Sequence, residues 1–540
     1  MKPTSYILSC FFCLAAAASL TGCVYDNPVD ESAVSDGEQM QTMLLEISVD
    51  NLNGGSRANP TGGPDGDGSF PSSDNENNIS NLTFFFYEAE KGIAAPNSTP
   101  ILHAAYVEDE IGKQANRYLA IVRVPIKADV RNSHHVIVTA NMGDLSNLTR
   151  LGDVRDYVRD GQSWTVANYP AGCKDFAMSS AADAQIVSKG GTISIRGKSW
   201  KYNLSGSVSI QRLAARVDLY YRNSQYDAAR KAVKYAVDNS SAPTANVYIT
   251  NLKLFNVPVK SSYLIRRTSY LENLSMWTYL GSETETDGVA TNYVIDPNTH
   301  RKTYKPNLTE TDPWFGESAA SEMLTSYPVI FSSGNHTDVG TLSANSYTMA
   351  TDKYNNNRSF TIGYTEENTQ TKESMLGSFV TGFVAKAVYE PTTVYRSYDA
   401  TTDTFTEDAA YAYGKTFWVV DRMSSVAFDR DRRFFSNSAA ATNYARSLDS
   451  KGNIAEVRRY PNAVCYYTVW IRHSNKEEGY NQIHEYCPMQ YSVVRNNLYL
   501  VSLTVHGPGT ITPRIEEPET IRPMFWVHKW ILQVHGEIAV

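Results

Sequence analysis

WVHKWILQVHGEIAV, Trp526 to Val540, decides how this chain is read. Trp526, Trp530, Leu532, Val534, Ile538 and Val540 fall on one face of an extended strand, and Lys529, Gln533, His535 and Glu537 on the other. Val527 and Ile531 are apolar exceptions on the polar face. Fifteen residues at ~3.3 Å each span roughly 50 Å, longer than most strands that pair within one domain. Pro508, Pro513, Pro518 and Pro523 punctuate the preceding bridge, Gly507 to Pro523, which makes it stiff and extended. Alternation alone fits two outcomes: an edge strand of the chain's own sheet, or an arm that reaches away. The bridge favours the arm.

A second one-faced strand stands near the other end. Met43, Leu45, Ile47 and Val49 alternate with Thr42, Leu44, Glu46 and Ser48, and Leu44 is the single apolar exception. Asn51 to Asn78 then reads NLNGGSRANPTGGPDGDGSFPSSDNENN, which predicts a flexible linker. Its one basic residue is Arg57, followed by Ala58.

The rest of the chain is β-prone. ISNLTFFFY (Ile79–Tyr87), Tyr118–Val124, His135–Ala140 and Thr192–Arg196 predict strands. Leu148, Leu151, Val154, Tyr157 and Val158 predict a short amphipathic helix. SVSIQRLAARVDLYY, Ser207 to Tyr221, reads as one long strand opening a second domain. Gln225–Val237 predicts a helix, Val247–Pro258 a strand, and Thr416–Val420, Val464–Arg472 and Asn497–Val505 central strands. Residues 259–415 read as decorated loops and extra strands. The expected fold class is therefore all-β with few short helices: two β-sandwich domains in tandem, with Greek-key links. With 35 Tyr, 19 Phe and 8 Trp the aromatic share suits half-wet sheet surfaces. A net charge of −8 provides no basic footprint, so no nucleic-acid partner is expected.

At the N-terminus, Lys2 precedes an apolar run, Tyr6–Leu20, too short for a typical membrane span and shaped like a signal-peptide core. It ends in Leu20-Thr21-Gly22-Cys23, which resembles a bacterial lipobox and implies lipidation of Cys23. Of the six Cys, Cys10 and Cys13 leave with such a signal and Cys23 is acylated. Cys173, Cys465 and Cys487 remain, which is no disulfide framework. Cys465 and Cys487 fit either a hairpin disulfide or two buried thiols.

Four features together resemble the fimbrillins, subunits of protease-assembled type V pili, and most the Mfa-like major-subunit branch. They are the lipobox followed by one strand; Arg57-Ala58 leading into ISNLTFFFY; IQRLAARVDL, Ile210–Leu219, with Arg216 where Lys is commoner; and YSVVRNNLYLVSLTVHGPGT with the terminal strand, Tyr491–Val540. Residues 259–415 match nothing in the family. The resemblance implies transthyretin-like domains and the following organisation. Residues 1–22 are the signal peptide, and 23–57 a lipidated propeptide carrying the first strand. Residues 58–205 form the N-terminal domain, 206–506 the C-terminal domain with its insertion, and 507–540 the bridge and donor strand. An Arg-specific protease cuts after Arg57, and Met43, Leu45, Ile47 and Val49 depart with the lipid from the outer membrane. The donor strand of another copy, or of a related pilin, fills the vacancy. One subunit donates and the next accepts, so the contact generates an open filament at the cell surface.

Enzyme motifs are poor. His484-Glu485 lacks a second histidine one turn on, and Asp65, Asp67 and Asp74 lack calcium-loop spacing. No cofactor, metal or catalytic residue is expected. The competing expectations are an accessory or tip pilin, favoured by the long C-terminal half, and a permanently anchored surface lipoprotein that binds glycan or protein through Tyr-rich loops.

Overall fold

In the computed structural model the described residues are 40–49, 69–71, most of 75–255, short pieces between 257 and 348, 357–369, 380–423, 432–452, 454–473, 491–511 and 521–531. The fold is mainly β, as the sequence predicts.

The first sheet is built from β1 (Gln41–Val49), β3 (Leu82–Glu88), β4 (His103–Val107), β5 (Ile111–Gln114), β6 (Arg117–Val124), β7 (His134–Ala140), β9 (Met178–Ser180) and β13 (Leu204–Arg212). Their order is β4-β3-β7-β9-β13-β1-β6-β5, and β10 (Ala184–Gln185) adds to β7. Both faces are covered, which is why FFFY is apolar without alternation. Phe84 and Phe86 enter one core with the odd-numbered residues Met43–Val49 of β1. Phe85 and Tyr87 face outward under the helix α1 (Leu151–Asp156) and under Leu264 and Ile265. Leu151 and Val154 are its buried face, as their spacing predicts. The helix is shorter than expected, because Val158 belongs to a two-residue strand, β8 (Val158–Arg159), paired with Ser262–Tyr263.

The stretch Ser207–Tyr221 is not one strand. It divides at the fully buried Leu213 into β13 and β14 (Ala214–Arg222), which lie in different sheets. Leu213 donates its N–H to the Ala177 carbonyl, and the Ala214 carbonyl accepts from Asn496. Partners on two different segments thus fix the break. β13 spans the domain boundary expected after residue 205, and Met40–Val540 form one compact unit.

β14 is the wall between two cores. Ala215, Val217, Leu219 and Tyr221 pack into the second core, while Ala214 and Tyr220 reach the first. Its neighbours divide likewise: Tyr499, Val501, Leu503 and Val505 enter the second core and Leu498 and Leu500 the first. β14 runs parallel to Asn497–Val505 and antiparallel to Asn357–Glu366. A second sheet, Tyr226–Asp227, Ala232–Ala236, Ala245–Phe255, Gly382–Pro391 and Val464–Trp470, supplies the other side of the second core.

Two expectations need correction. Gln225–Val237 is not an α-helix but holds the strands Tyr226–Asp227 and Ala232–Ala236: Val233, Tyr235 and Val237 alternate as buried residues with Lys234 and Ala236, so period 2 beats alanine's helix propensity. Residues 259–415 hold more than decoration, since Asn357–Glu366 and Gly382–Pro391 are core strands. Around residue 395 a further sheet begins: Thr404–Glu407, Tyr395–Asp399, Arg432–Phe435, Phe417–Met423 and Ile454–Tyr460. A helix not foreseen, Ser438–Ser450, lies on it. Asn437 caps its N-terminus, accepting the Ala440 N–H at 2.9 Å, and Ala441, Tyr444, Ala445 and Leu448 pack on Tyr398, Phe405 and Phe435. Phe435→Ala is expected to lower stability by about 3–5 kcal/mol in urea unfolding; a mere surface loop would show a change within about 0.5 kcal/mol.

Candidate functional site

β1 occupies the middle of the first sheet. Met43–Val49 pair in parallel with Leu204–Ile210 of β13, and Gln41–Ile47 pair antiparallel with Tyr118–Val124 of β6. Met43, Leu45 and Ile47 are fully buried and Val49 is 1% exposed. Leu44, the exception in the alternation, has a pocket of its own on the opposite face. It packs on Leu119, Ile121 and Ile195, with Ile193, Trp200 and Tyr202 of the hairpin β11–β12 (Gly191–Ile195 and Lys198–Tyr202) alongside. Two residues on, Glu46 forms a half-exposed ion pair with Arg117 at 2.6 Å. At the strand's start, Asn203 Nδ2 donates to Gln41 Oε1 at 3.0 Å. Neighbouring strands lie ~4.8 Å apart, so removing β1 opens a slot about 10 Å wide with two raw hydrogen-bonding edges.

The segment joining this strand to the rest is anchored more deeply than a linker would be. Glu76 and Asn77, both in the run expected to be flexible, are buried. The Glu76 carboxylate accepts from Arg216 Nη1 at 3.1 Å and from the Tyr364 hydroxyl at 2.7 Å. Arg216 also holds Asp218 through a two-pronged contact, Nε to Oδ1 at 2.8 Å and Nη2 to Oδ2 at 2.7 Å. Arg212 donates to the Glu76 carbonyl at 2.9 Å, to Asn496 Oδ1 at 3.0 Å and to the Asn77 side chain. Burial opposes the charge on Arg216, but Asp218 and Glu76 hold its pKa well above the ordinary value. Burial pushes the Asp218 carboxyl up, against the opposing pull of Arg216. The two shifts share a direction for different reasons: two carboxylates outweigh burial at Arg216, whereas burial outweighs one guanidinium at Asp218.

This cluster explains two of the sequence features that carry the resemblance. Arg212, Arg216 and Asp218 come from IQRLAARVDL, and Asn496 from VRNN. Arg495 of the latter pairs with buried Glu367 at 2.7 Å and donates to the Leu264 carbonyl. Sequence reading missed Glu76 and Asn77 because nothing in DNENN separates a buried carboxylate from a solvated one.

The terminal strand begins earlier than expected. Ile521–Ile531 pairs antiparallel with Asn497–Val505 of the chain's own sheet, placing Trp526 opposite Leu500. On its other edge a short strand, β2 (Ser69–Pro71), runs parallel, with Phe70 opposite Trp530. Of the two outcomes that alternation allowed, this is the edge-strand one. The first part of the bridge is fixed rather than reaching outward: the Tyr467 and Tyr460 hydroxyls donate to the Gly507 and Gly509 carbonyls at 2.8 Å. Leu532, Val534, Ile538 and Val540 lie outside the described residues, as do Cys23, Arg57, Ala58, His484, Glu485 and Cys487. Cys173 and Cys465 are buried, and burial pushes their thiols up to about 12 and about 11. Among the described residues no group of His, Cys, Asp and Glu is arranged to hold a metal ion.

Residues 458–532 match the family model described as major fimbrial subunit protein type IV, fimbrillin, C-terminal. The match supports a fimbrillin-family subunit. None of the curated proteins matches the sequence. Among solved structures, a putative cell adhesion protein from Parabacteroides distasonis ATCC 8503 is 12% identical, with 91% of this chain and 100% of that one covered and a TM-score of 0.37. The tip fimbrial protein Mfa3 from Porphyromonas gingivalis is 9% identical, covering 91% and 100%, with a TM-score of 0.32. A fimbrilin (fimA) from Porphyromonas gingivalis W83 is 12% identical, covering 91% and 98%, also at 0.32. Likenesses this weak carry no weight for function.

The buried cluster predicts a large and specific cost. Glu76→Ala leaves Arg216 short of a carboxylate in the interior and is expected to destabilise by about 3–5 kcal/mol in urea unfolding. A change within experimental error would mean the cluster is open to water.

Proposed function

We propose that this chain is the structural subunit of a cell-surface pilus that polymerises by protease-triggered donor-strand exchange and supports adhesion. The observation that carries the reading is the position of β1: buried, paired on both edges, and joined to the remaining sheet through the Gly-rich run containing Arg57. In this reading the precursor is exported as a lipoprotein held to the outer membrane through Cys23. An Arg-specific protease cuts between Arg57 and Ala58. The propeptide leaves with Met43, Leu45, Ile47 and Val49, and the chain from Ala58 onward remains as the mature subunit.

The Glu76 cluster supports the division of labour. It ties residues 76–77 to Arg212 and Arg216, so a cut at Arg57 frees the strand before it and leaves the segment after it pinned. The pairing of Ile521–Ile531 supports the direction of exchange. That strand has one full ladder and a three-residue partner, whereas β1's place provides a ladder on each edge. Moving from one ladder to two is favourable, and the contact propagates because it is heterologous.

A second reading has one observation in its favour. A terminal strand folded into its own sheet also suits a subunit that donates nothing: a tip or accessory pilin, or a surface lipoprotein that stays anchored.

Two variants decide between them. Arg57→Ala is expected to abolish polymer and retain a lipid-bearing chain in the membrane fraction; normal polymer from this variant would reject Arg57 as the cut. Removal of Trp526–Val540 is expected to yield processed monomers, and filaments from that truncation would remove the donor role.

A further inference from the structure

β1 and the terminal segment share more than alternation. Aligned in the same chain direction, QTMLLEISV (Gln41–Val49) and HKWILQVHG (His528–Gly536) agree in polar or apolar class at eight of nine positions. Gln41 and Thr42 meet His528 and Lys529; Met43, Leu44 and Leu45 meet Trp530, Ile531 and Leu532. Glu46 meets Gln533, Ile47 meets Val534 and Ser48 meets His535. Only Val49, opposite Gly536, differs in class.

The slot makes that agreement meaningful. Its inner face takes four apolar side chains, Met43, Leu45, Ile47 and Val49. Its outer face has one apolar pocket, at Leu44 under the β11–β12 hairpin, and half-exposed positions at Thr42, Glu46 and Ser48. A strand that fits must therefore break alternation once, at the pocket. The terminal segment breaks it twice, at Val527 and Ile531. Placing Val527 in the pocket, in either direction, puts His528 on the inner face, and so does Ile531 with the strand reversed. Ile531 with the strand running as β1 runs moves His528 to the start of the strand, at the already polar place of Gln41, and leaves the four apolar inner positions to Trp530, Leu532, Val534 and Gly536. A one-residue slip from there would turn Gln533 inward.

We propose that Ile531 fills the Leu44 pocket of the neighbouring subunit and sets the register of exchange, with the donor strand parallel to β13 and antiparallel to β6. The inference rests on the donor-strand reading above. His528 then stands at Gln41's place beside Asn203, and Gln533 at Glu46's place beside Arg117. The rival placement reverses the strand. It sets Glu537 beside Arg117, puts Ala539 in the pocket and Gly536 inside at Ile47's position, and leaves the places of Gln41 and Thr42 empty.

Cysteine pairing separates the two. Ser207 is exposed on β13 directly beside Glu46, within disulfide reach of whatever side chain replaces that residue. In a Cys487→Ser background, protease-processed Ser207→Cys subunits are mixed with either Gln533→Cys or Glu537→Cys subunits and run on non-reducing gels. Linked dimers from Gln533→Cys and none from Glu537→Cys are expected. The opposite pattern overturns the register while exchange itself stands. Absence of any filament from processed wild-type chain overturns the exchange reading, and the register falls with it. Ile531→Ser should weaken strand exchange at equilibrium by about 10–100-fold, the cost of losing one buried aliphatic side chain, with Ile531→Val restoring most of it. Unchanged assembly by Ile531→Ser also overturns the proposal.

Discussion

The constraint on which the structure depends is that a strand in the middle of a sheet must be satisfied on both edges and both faces. β1 meets it with ladders to β13 and β6, four side chains in the first core and one in the pocket behind. Such a strand cannot leave a folded chain without opening an apolar slot flanked by two unpaired strand edges. The vacancy would therefore hold out for another strand. In this account the chain completes its own fold with a temporary strand and its polymer with a permanent one.

The magnitudes also say which feature of the slot would select an incoming strand. The Glu46–Arg117 pair is half-exposed, a setting in which an ion pair contributes about 0–1 kcal/mol. Filling an apolar pocket contributes about 1.5–3 kcal/mol per side chain. Pattern on the two faces therefore outweighs charge. Meanwhile the buried Glu76–Arg216–Asp218 cluster acts as a fixed post between the two cores, holding residues 76–77 downstream of β1.

Much of this was legible in the sequence where a period was strong. Met43–Val49 and the Leu151–Val154 helix face stand where alternation and helical spacing put them, and FFFY and Asn497–Val505 stand where their β-prone composition put them. What stayed hidden depends on partners distant in sequence. Leu213 breaks what reads as one strand because Ala177 and Asn496 hold the backbone on either side of it. Glu76 reads as linker because its partners, Arg216 and Tyr364, are 140 and 288 residues away. Asn357–Glu366 was submerged in a Tyr-, Thr- and Ser-rich region, since its buried Ser359, Thr361 and Thr365 carry no hydrophobic signal. The early exception at Leu44 was visible from the start, but only the hairpin over it explains the residue.

A structure of the assembled filament tests the central claim most directly. The strand between β6 and β13 is predicted to be continuous with the C-terminal bridge of a neighbouring subunit, with Ile531 beneath the β11–β12 hairpin. Density there that traces to Gln41–Val49 of the same chain would contradict the account.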